Sequence, residues 1–136
     1  MKHIIQEKIT LHIKPNSKVL DLGCGNGELL MLLKKEKNIT GYGIDLNEEN
    51  IIKCIKHNIP VFQGNIEEIL AEFQSNSYDY VILGETLQET KHTLKVLQES
   101  LRIGKKIIVS FPNFGYWKIR LQLLKGQTPE TSLLPY

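Results

Sequence analysis

Cysteine is scarce in this chain: there are two in 136 residues, Cys24 and Cys54. Neither has a Cys or His at the spacing that zinc ligands keep, so no metal site is expected. Excess charge is also missing. Seventeen Lys and Arg against fifteen Asp and Glu leave a net charge of +2, which is not the profile of a nucleic-acid binder or a membrane-surface protein. No apolar run reaches the ~20 residues that span a bilayer. Gln6, Glu7 and Lys8 follow Ile4 and Ile5 too soon for a signal peptide. Four histidines, His3, His12, His57 and His92, are scattered without carboxylate partners in sequence, and no catalytic residue is assigned. The cytoplasm is the expected compartment. What remains is 41% apolar and 24% charged residues, enough for a real core in one domain over 1–136.

Glycine, by contrast, is concentrated. Val19-Leu20-Asp21-Leu22 runs into Gly23-Cys24-Gly25-Asn26-Gly27, and an apolar helical run from Leu29 to Leu33 follows at once. Glycine serves where the backbone needs positive φ or where a ligand must approach with no side chain between. A strand, a glycine turn and a helix start together present unpaired N–H groups and the positive end of a helix dipole.

The rest of the chain alternates short strands and helices. A short helix over 3–13 is expected to lie over the sheet edge. Strands are expected over 18–22, 38–45, 59–62, 78–83 and 106–111, with the third, entered through Pro60, at an edge. Helices are expected over 27–36, after the N-cap Asn47, around Ile66-Ile69-Leu70-Phe73, over 91–102 up to Gly104, and from Phe114 through Trp117 and Leu121 to Leu124. The helix after Asn47 is expected to put Ile51, Ile52 and Ile55 on one face, with Cys54 beside them. A loop-like tail with Gly126, Pro129 and Pro135 closes the chain. The pattern predicts an α/β three-layer sandwich with a parallel sheet in the order 3-2-1-4-5. In such a sheet ligands bind beyond the strand C-termini, at the switch point between strands 1 and 4. Asp21, Gly23, Asp45, Gly64 and Gly84 all fall at such ends.

The turn reads G-x-G-x-G, whereas a dinucleotide fingerprint needs its third small residue where Glu28 stands. No Gly-Lys-Ser/Thr follows, so it is not a P-loop. A ligand with an amino-acid end and a nucleoside end fits better. Asp21 can hold a cationic amine. Asp45 lies 18 residues past Gly27, where an acid can accept both ribose hydroxyls. A nicotinamide-dependent oxidoreductase is disfavoured by Glu28.

On these residues the sequence resembles the class I S-adenosylmethionine-dependent methyltransferases, and within them the methionine biosynthesis MetW family. The resemblance is carried by 19–30, by Gly41-Tyr42-Gly43-Ile44-Asp45, by 78–83, by Thr86-Leu87-Gln88 and by 108–115. Arg120–Leu124 and Leu134-Pro135-Tyr136 also match, so it covers nearly the whole chain. The segment from Phe111 to Gly115 is its most specific part.

The resemblance implies a Rossmann-like methyltransferase fold and a site for S-adenosylmethionine or S-adenosylhomocysteine. Carried over, that site comprises Asp21, Gly23, Cys24, Gly25, Asn26, Gly27, Asp45, Leu46, Gly64, Asn65, Ile66, Gly84 and Glu85. Asp45 takes the ribose diol, with Leu46 beside the adenine. Asn65 stands where such enzymes often place an acid near the adenine amine. The resemblance also implies a partner, homoserine O-acyltransferase; a homodimer is left open. Two departures matter. Gly84-Glu85-Thr86-Leu87 is not the Asn/Asp-Pro-Pro-aromatic motif of amino-methyltransferases of DNA and protein amides, which argues against those substrates. The sixth and seventh strands of the family fold are expected to be missing, which leaves a shortened domain with the fifth strand as an open edge.

Overall fold

The computed structural model describes residues 2–84, 91–113, 116–122 and 132–135. Helix α1 (Lys2–His12) leads into β1 (Lys18–Leu22), α2 (Glu28–Lys37), β2 (Thr40–Asp45), α3 (Glu48–Lys56) and β3 (Val61–Gln63). A short helix α4 (Ile66–Ile69) continues as a 3-10 turn before β4 (Tyr78–Leu83). Helix α5 (Thr93–Ile103) then passes directly into β5 (Gly104–Asn113), followed by β6 (Tyr116–Gln122) and β7 (Ser132–Pro135). Gly104 ends α5 in an extended conformation, at φ −101°.

The sheet order is β3-β2-β1-β4-β5-β6-β7. The first five strands are parallel in the expected order, with β3 at the edge. The alternation of side chains along each strand sorts the core into two halves. Val19 of β1, Tyr80 and Ile82 of β4, and Ile108 of β5 share one buried cluster with Ile9 and Ile13, Leu30 and Leu33 of α2, and Cys54 of α3. Leu20, Leu22, Val81, Leu83, Ile107 and Val109 belong to the other, with Leu70, Val96 and Ile103. Helices therefore cover both faces, which makes three layers.

Five expectations need correction. Helix α1 does not lie over an edge: Ile9 and Ile13 share their cluster with the central strands β1, β4 and β5. On α3, Ile51 and Cys54 are buried, whereas Ile52 and Ile55 are exposed. The expected helix from Phe114 to Leu124 is strand β6, although Phe114 and Leu124 themselves lie outside the described residues. Trp117-Lys118-Ile119-Arg120-Leu121-Gln122 alternates apolar and polar, a period of two that outweighs the spacing of three and four also present. Finally, strands beyond the fifth are not missing. β6 pairs antiparallel with β5 from Asn113↔Tyr116 to Ile107↔Gln122, and β7 pairs antiparallel with β6. β5 is thus covered, and Pro135, expected in a loop-like tail, instead ends the outermost strand, where a lost ladder donor matters least.

Candidate binding cleft above strands one, two and four

The glycine turn forms as the sequence requires. Gly23, Gly25 and Gly27 have φ of 74°, 59° and 87°, the left-handed region that residues with a Cβ avoid. The turn is tied to β2: the N–H groups of Gly23 and Cys24 both donate to the Ile44 carbonyl, at 2.8 and 3.0 Å. Asn26 Oδ1 accepts the Glu28 N–H at 3.2 Å at the start of α2. Among the described residues, nothing lies within 4 Å of the place where a Cβ on Gly25 would stand, and the same is true of Gly84. Leu22 is in register with Leu83, so Gly84 leaves β4 beside Gly23. The two glycines line open space at the switch point.

Asp21 lies on β1, two residues before Gly23. It is 6% exposed, and among the described residues its carboxylate has no hydrogen-bond partner. Burial, and then the nearby Asp45 charge, push its pKa up to about 7. A buried carboxylate without a partner is costly in its charged form.

Asp45 ends β2, and each of its carboxylate oxygens holds a backbone N–H. Its Oδ2 accepts the Gly25 N–H at 2.9 Å, and its Oδ1 accepts the Asn47 N–H at 2.8 Å. Asn50 Nδ2 adds a longer bond to Oδ1, at 3.4 Å. Asn47 caps α3 by accepting the Asn50 N–H at 3.0 Å, as its position in the sequence suggests. Leu46, next to Asp45, is 67% exposed although apolar.

Gly64 follows β3 and its N–H donates to the Asp45 carbonyl, at 3.1 Å, which brings the third strand's end to the same cleft. Asn65 caps α4: its Oδ1 accepts the Glu67 N–H at 2.8 Å. That oxygen, the group expected to accept from an adenine amine, therefore already holds one donor. Ile66 packs against the second core cluster. Glu85 lies outside the described residues, as do Thr86, Leu87 and Gln88.

Two relationships were not legible in the sequence. Cys24 Sγ and Cys54 Sγ lie 3.8 Å apart behind the turn. Burial pushes both thiols up from their ordinary pKa range. The other is at the rim. Glu67 Oε1 accepts the N–H groups of Lys91 and His92, both at 2.8 Å, and contacts His92 Nδ1 at 3.3 Å. His92 thus has a carboxylate partner, twenty-five residues away in sequence. No local pattern signals either pairing. Both are made by the crossovers of the parallel sheet.

The comparisons with known proteins agree with this architecture. The family model of the methionine biosynthesis protein MetW matches residues 4–136. The bifunctional methionine biosynthesis protein MetXA/MetW of Rhodopirellula baltica is 35% identical over 126 residues, covering 87% of this chain and 20% of its own length. The demethylmenaquinone methyltransferase of Listeria monocytogenes is 28% identical over 123 residues, covering 79% of this chain and 51% of its own. The chain therefore spans only part of the length of these relatives. A SAM-dependent methyltransferase from Archaeoglobus fulgidus superposes with a TM-score of 0.71 at 23% identity, over 83% of this chain and 54% of that one. The fold is the Rossmann-like fold of these methyltransferases, and the chain belongs to the MetW family of methionine biosynthesis proteins.

Proposed function

We propose that the chain binds S-adenosylmethionine or S-adenosylhomocysteine in the cleft above β1, β2 and β4, and that it serves methionine biosynthesis together with a homoserine O-acyltransferase. The observation that carries the ligand assignment is Asp21: a buried carboxylate with no hydrogen-bond partner among the described residues, on the strand that runs into the turn where Gly25 has room on its Cβ side. Both adenosyl ligands carry an ammonium group on their amino-acid end, the charge that such a carboxylate lacks. A Cβ at Gly25 or Gly84 would enter the cradle. The residues present therefore fit the ligand.

In this reading Gly23, Gly25 and Gly27 let the backbone pass close to the amino-acid and ribose portions. Asp45 accepts from the ribose hydroxyls with the lone pairs its backbone partners leave free. Leu46 covers the adenine, and its exposed apolar surface is accounted for by that contact. Asn65 and Ile66 border the adenine edge, while Cys24 and Asn26 complete the turn. Glu85 is assigned on the family resemblance alone. When bound, S-adenosylmethionine supplies a sulfonium methyl group. Transfer of that methyl is an in-line displacement and depends on positioning more than on a strong base.

The acyltransferase assignment is supported by the family and by the R. baltica relative, whose name joins MetXA and MetW in one chain. An end-product-derived ligand acting through a partner contact would provide feedback by linkage. A second reading, an active small-molecule methyltransferase, is favoured by the L. monocytogenes relative, which is a methyltransferase by name.

Parallel calorimetric titrations with S-adenosylmethionine, S-adenosylhomocysteine and NAD test the ligand. Binding of the adenosyl ligands and not of NAD supports the site; tight NAD binding alone overturns it. Co-purification with the acyltransferase, and a response of its activity to the ligand, supports the partner role. Accumulation of S-adenosylhomocysteine when homocysteine is supplied as acceptor supports the enzyme instead.

A further inference from the structure

Behind the glycine turn, two thiols thirty residues apart in sequence meet, with Sγ atoms at 3.8 Å. Both cysteines are buried and both are free thiols. The backbone makes room for them. A Cβ on Gly43 would fall 2.4 Å from Cys24 Sγ, and one on Gly27 would fall 3.2 Å from Cys54 Sγ. Cys54 Sγ donates to the Gly25 carbonyl at 3.3 Å, and Cys24 Sγ lies 3.7 Å from the same oxygen. The Gly25 N–H donates to Asp45. Gly25, the central residue of the turn, is thus held by a carboxylate at its N–H and by thiols at its carbonyl.

We infer that Cys24 and Cys54 are a modification site, a reversible intramolecular disulfide whose formation releases Gly25 and weakens ligand binding in the cleft. The effect on affinity rests on the adenosyl-ligand reading above; the pairing does not.

The oxidant is a hydroperoxide such as hydrogen peroxide. The thiolate of one cysteine attacks a peroxide oxygen. The O–O bond breaks, one water leaves, and a sulfenic acid forms. The second thiol attacks that sulfur, the S–S bond forms, the S–O bond breaks, and a second water leaves. Two thiols lose two electrons and two protons, and the peroxide is reduced to two waters. Cys24, 8% exposed, is the first target, because Cys54 is 0% exposed. Burial keeps both thiols protonated, so the reaction is slow and answers sustained exposure to oxidant rather than a brief pulse.

A disulfide brings the sulfurs to about 2 Å and removes the thiol hydrogens. The Gly25 carbonyl then loses its donor, and the turn is drawn toward α3. Loss of one such support, with displacement of the cradle, corresponds to about a tenfold weaker affinity. By reciprocity, ligand that prefers the reduced form about tenfold disfavours the disulfide by the same factor.

The test is to treat the protein with hydrogen peroxide, with and without saturating S-adenosylhomocysteine. Linked peptides are read by mass, and affinity for S-adenosylhomocysteine is measured by calorimetry before and after dithiothreitol. The expected result is a peptide pair joining Cys24 to Cys54, an affinity loss of about tenfold that dithiothreitol reverses, and slower linkage when ligand is present. Cys54→Ser gives no linked peptide and no reversible change. Separate sulfinic acids without a linked peptide, or a linked peptide with unchanged affinity, overturn the proposal. Reduced protein that binds no adenosyl ligand overturns the function reading instead, and the peptide mass still decides the pairing.

Discussion

The Gly25 N–H donates to Asp45 Oδ2 at 2.9 Å, so the acid at the end of β2 fixes the turn at the end of β1. One residue joins the two strands that flank the cleft. Its other oxygen accepts the Asn47 N–H at the entry to α3. Asp45→Ala removes both supports and, in the proposed function, the ribose acceptor. Affinity for S-adenosylhomocysteine is expected to fall by at least about tenfold, the equivalent of one or two hydrogen bonds to a charged group. Calorimetry on the variant, with its fold checked by circular dichroism, decides this. Unchanged affinity removes Asp45 from the site.

Asp21 makes stability depend on pH. Its folded pKa is raised from 3.8 to about 7, by burial first and Asp45 second. A carboxyl with a raised folded pKa favours the folded state while it is protonated. That contribution is complete below the unfolded pKa, declines as pH rises from about 4 to 7, and is gone above it. The shift corresponds to about 4 kcal/mol across this window. Asp21→Asn keeps the uncharged form, so its melting temperature should exceed that of the parent at pH 8 and converge with it near pH 4. Parallel melting curves at equal ionic strength test this; a constant difference across the window rejects the assignment.

The same carboxyl should couple ligand binding to proton release. An ammonium group beside Asp21 favours the ionised form and lowers its pKa. Near pH 6, where the free protein holds most of that proton, S-adenosylmethionine binding should expel up to one proton. Near pH 8.5 it should expel none through this group. Calorimetry in two buffers of different ionisation enthalpy counts the protons. Equal heats in both buffers at pH 6 would place the ammonium group away from Asp21.

Much of this was legible in the sequence because the signals are local. The G-x-G-x-G turn, the acid Asp45, the cap Asn47 and the strand–helix alternation each need only a few neighbouring residues to be recognised. The parallel order followed from the handedness of crossovers. What stayed hidden depends on contacts distant in sequence. Cys24 meets Cys54 only because α3 packs behind the turn, and Glu67 meets His92 only because α4 and α5 start at the same rim. The segment 116–122 carried two periods at once, and pairing with β5 selected the strand.

Two glycines separate binding from folding. At Gly84 a Cβ would meet nothing within 4 Å among the described residues. Gly84→Ala should leave stability within about 0.5 kcal/mol of the parent while lowering adenosyl-ligand affinity, because the methyl group enters the cradle. At Gly43 a Cβ would fall 2.4 Å from Cys24 Sγ and 2.8 Å from Cys24 Cβ. Gly43→Ala should therefore destabilise the fold by roughly 1–3 kcal/mol, the usual cost of overpacking. Urea titrations and calorimetry on both variants read the two effects. A large stability loss in Gly84→Ala would show that its open side is not a ligand cradle.

Glu67 joins the starts of α4 and α5 through the Lys91 and His92 N–H groups. Hydrogen bonds from the His92 and Lys91 backbone hold its pKa below the ordinary carboxylate range. A depressed folded pKa means stability that is present above the unfolded pKa and lost as pH falls through the folded one. Glu67→Gln keeps an acceptor oxygen but loses the charge that favours a helix N-terminus. Its melting temperature should lie below that of the parent at pH 7, and the gap should close on acidification as the parent's own carboxylate is protonated. The contact with His92 Nδ1, on a side chain 67% exposed, adds little in water. His92→Asn should accordingly change the melting temperature less than Glu67→Gln does. The reverse ranking would locate the link in the imidazole rather than in the backbone N–H groups.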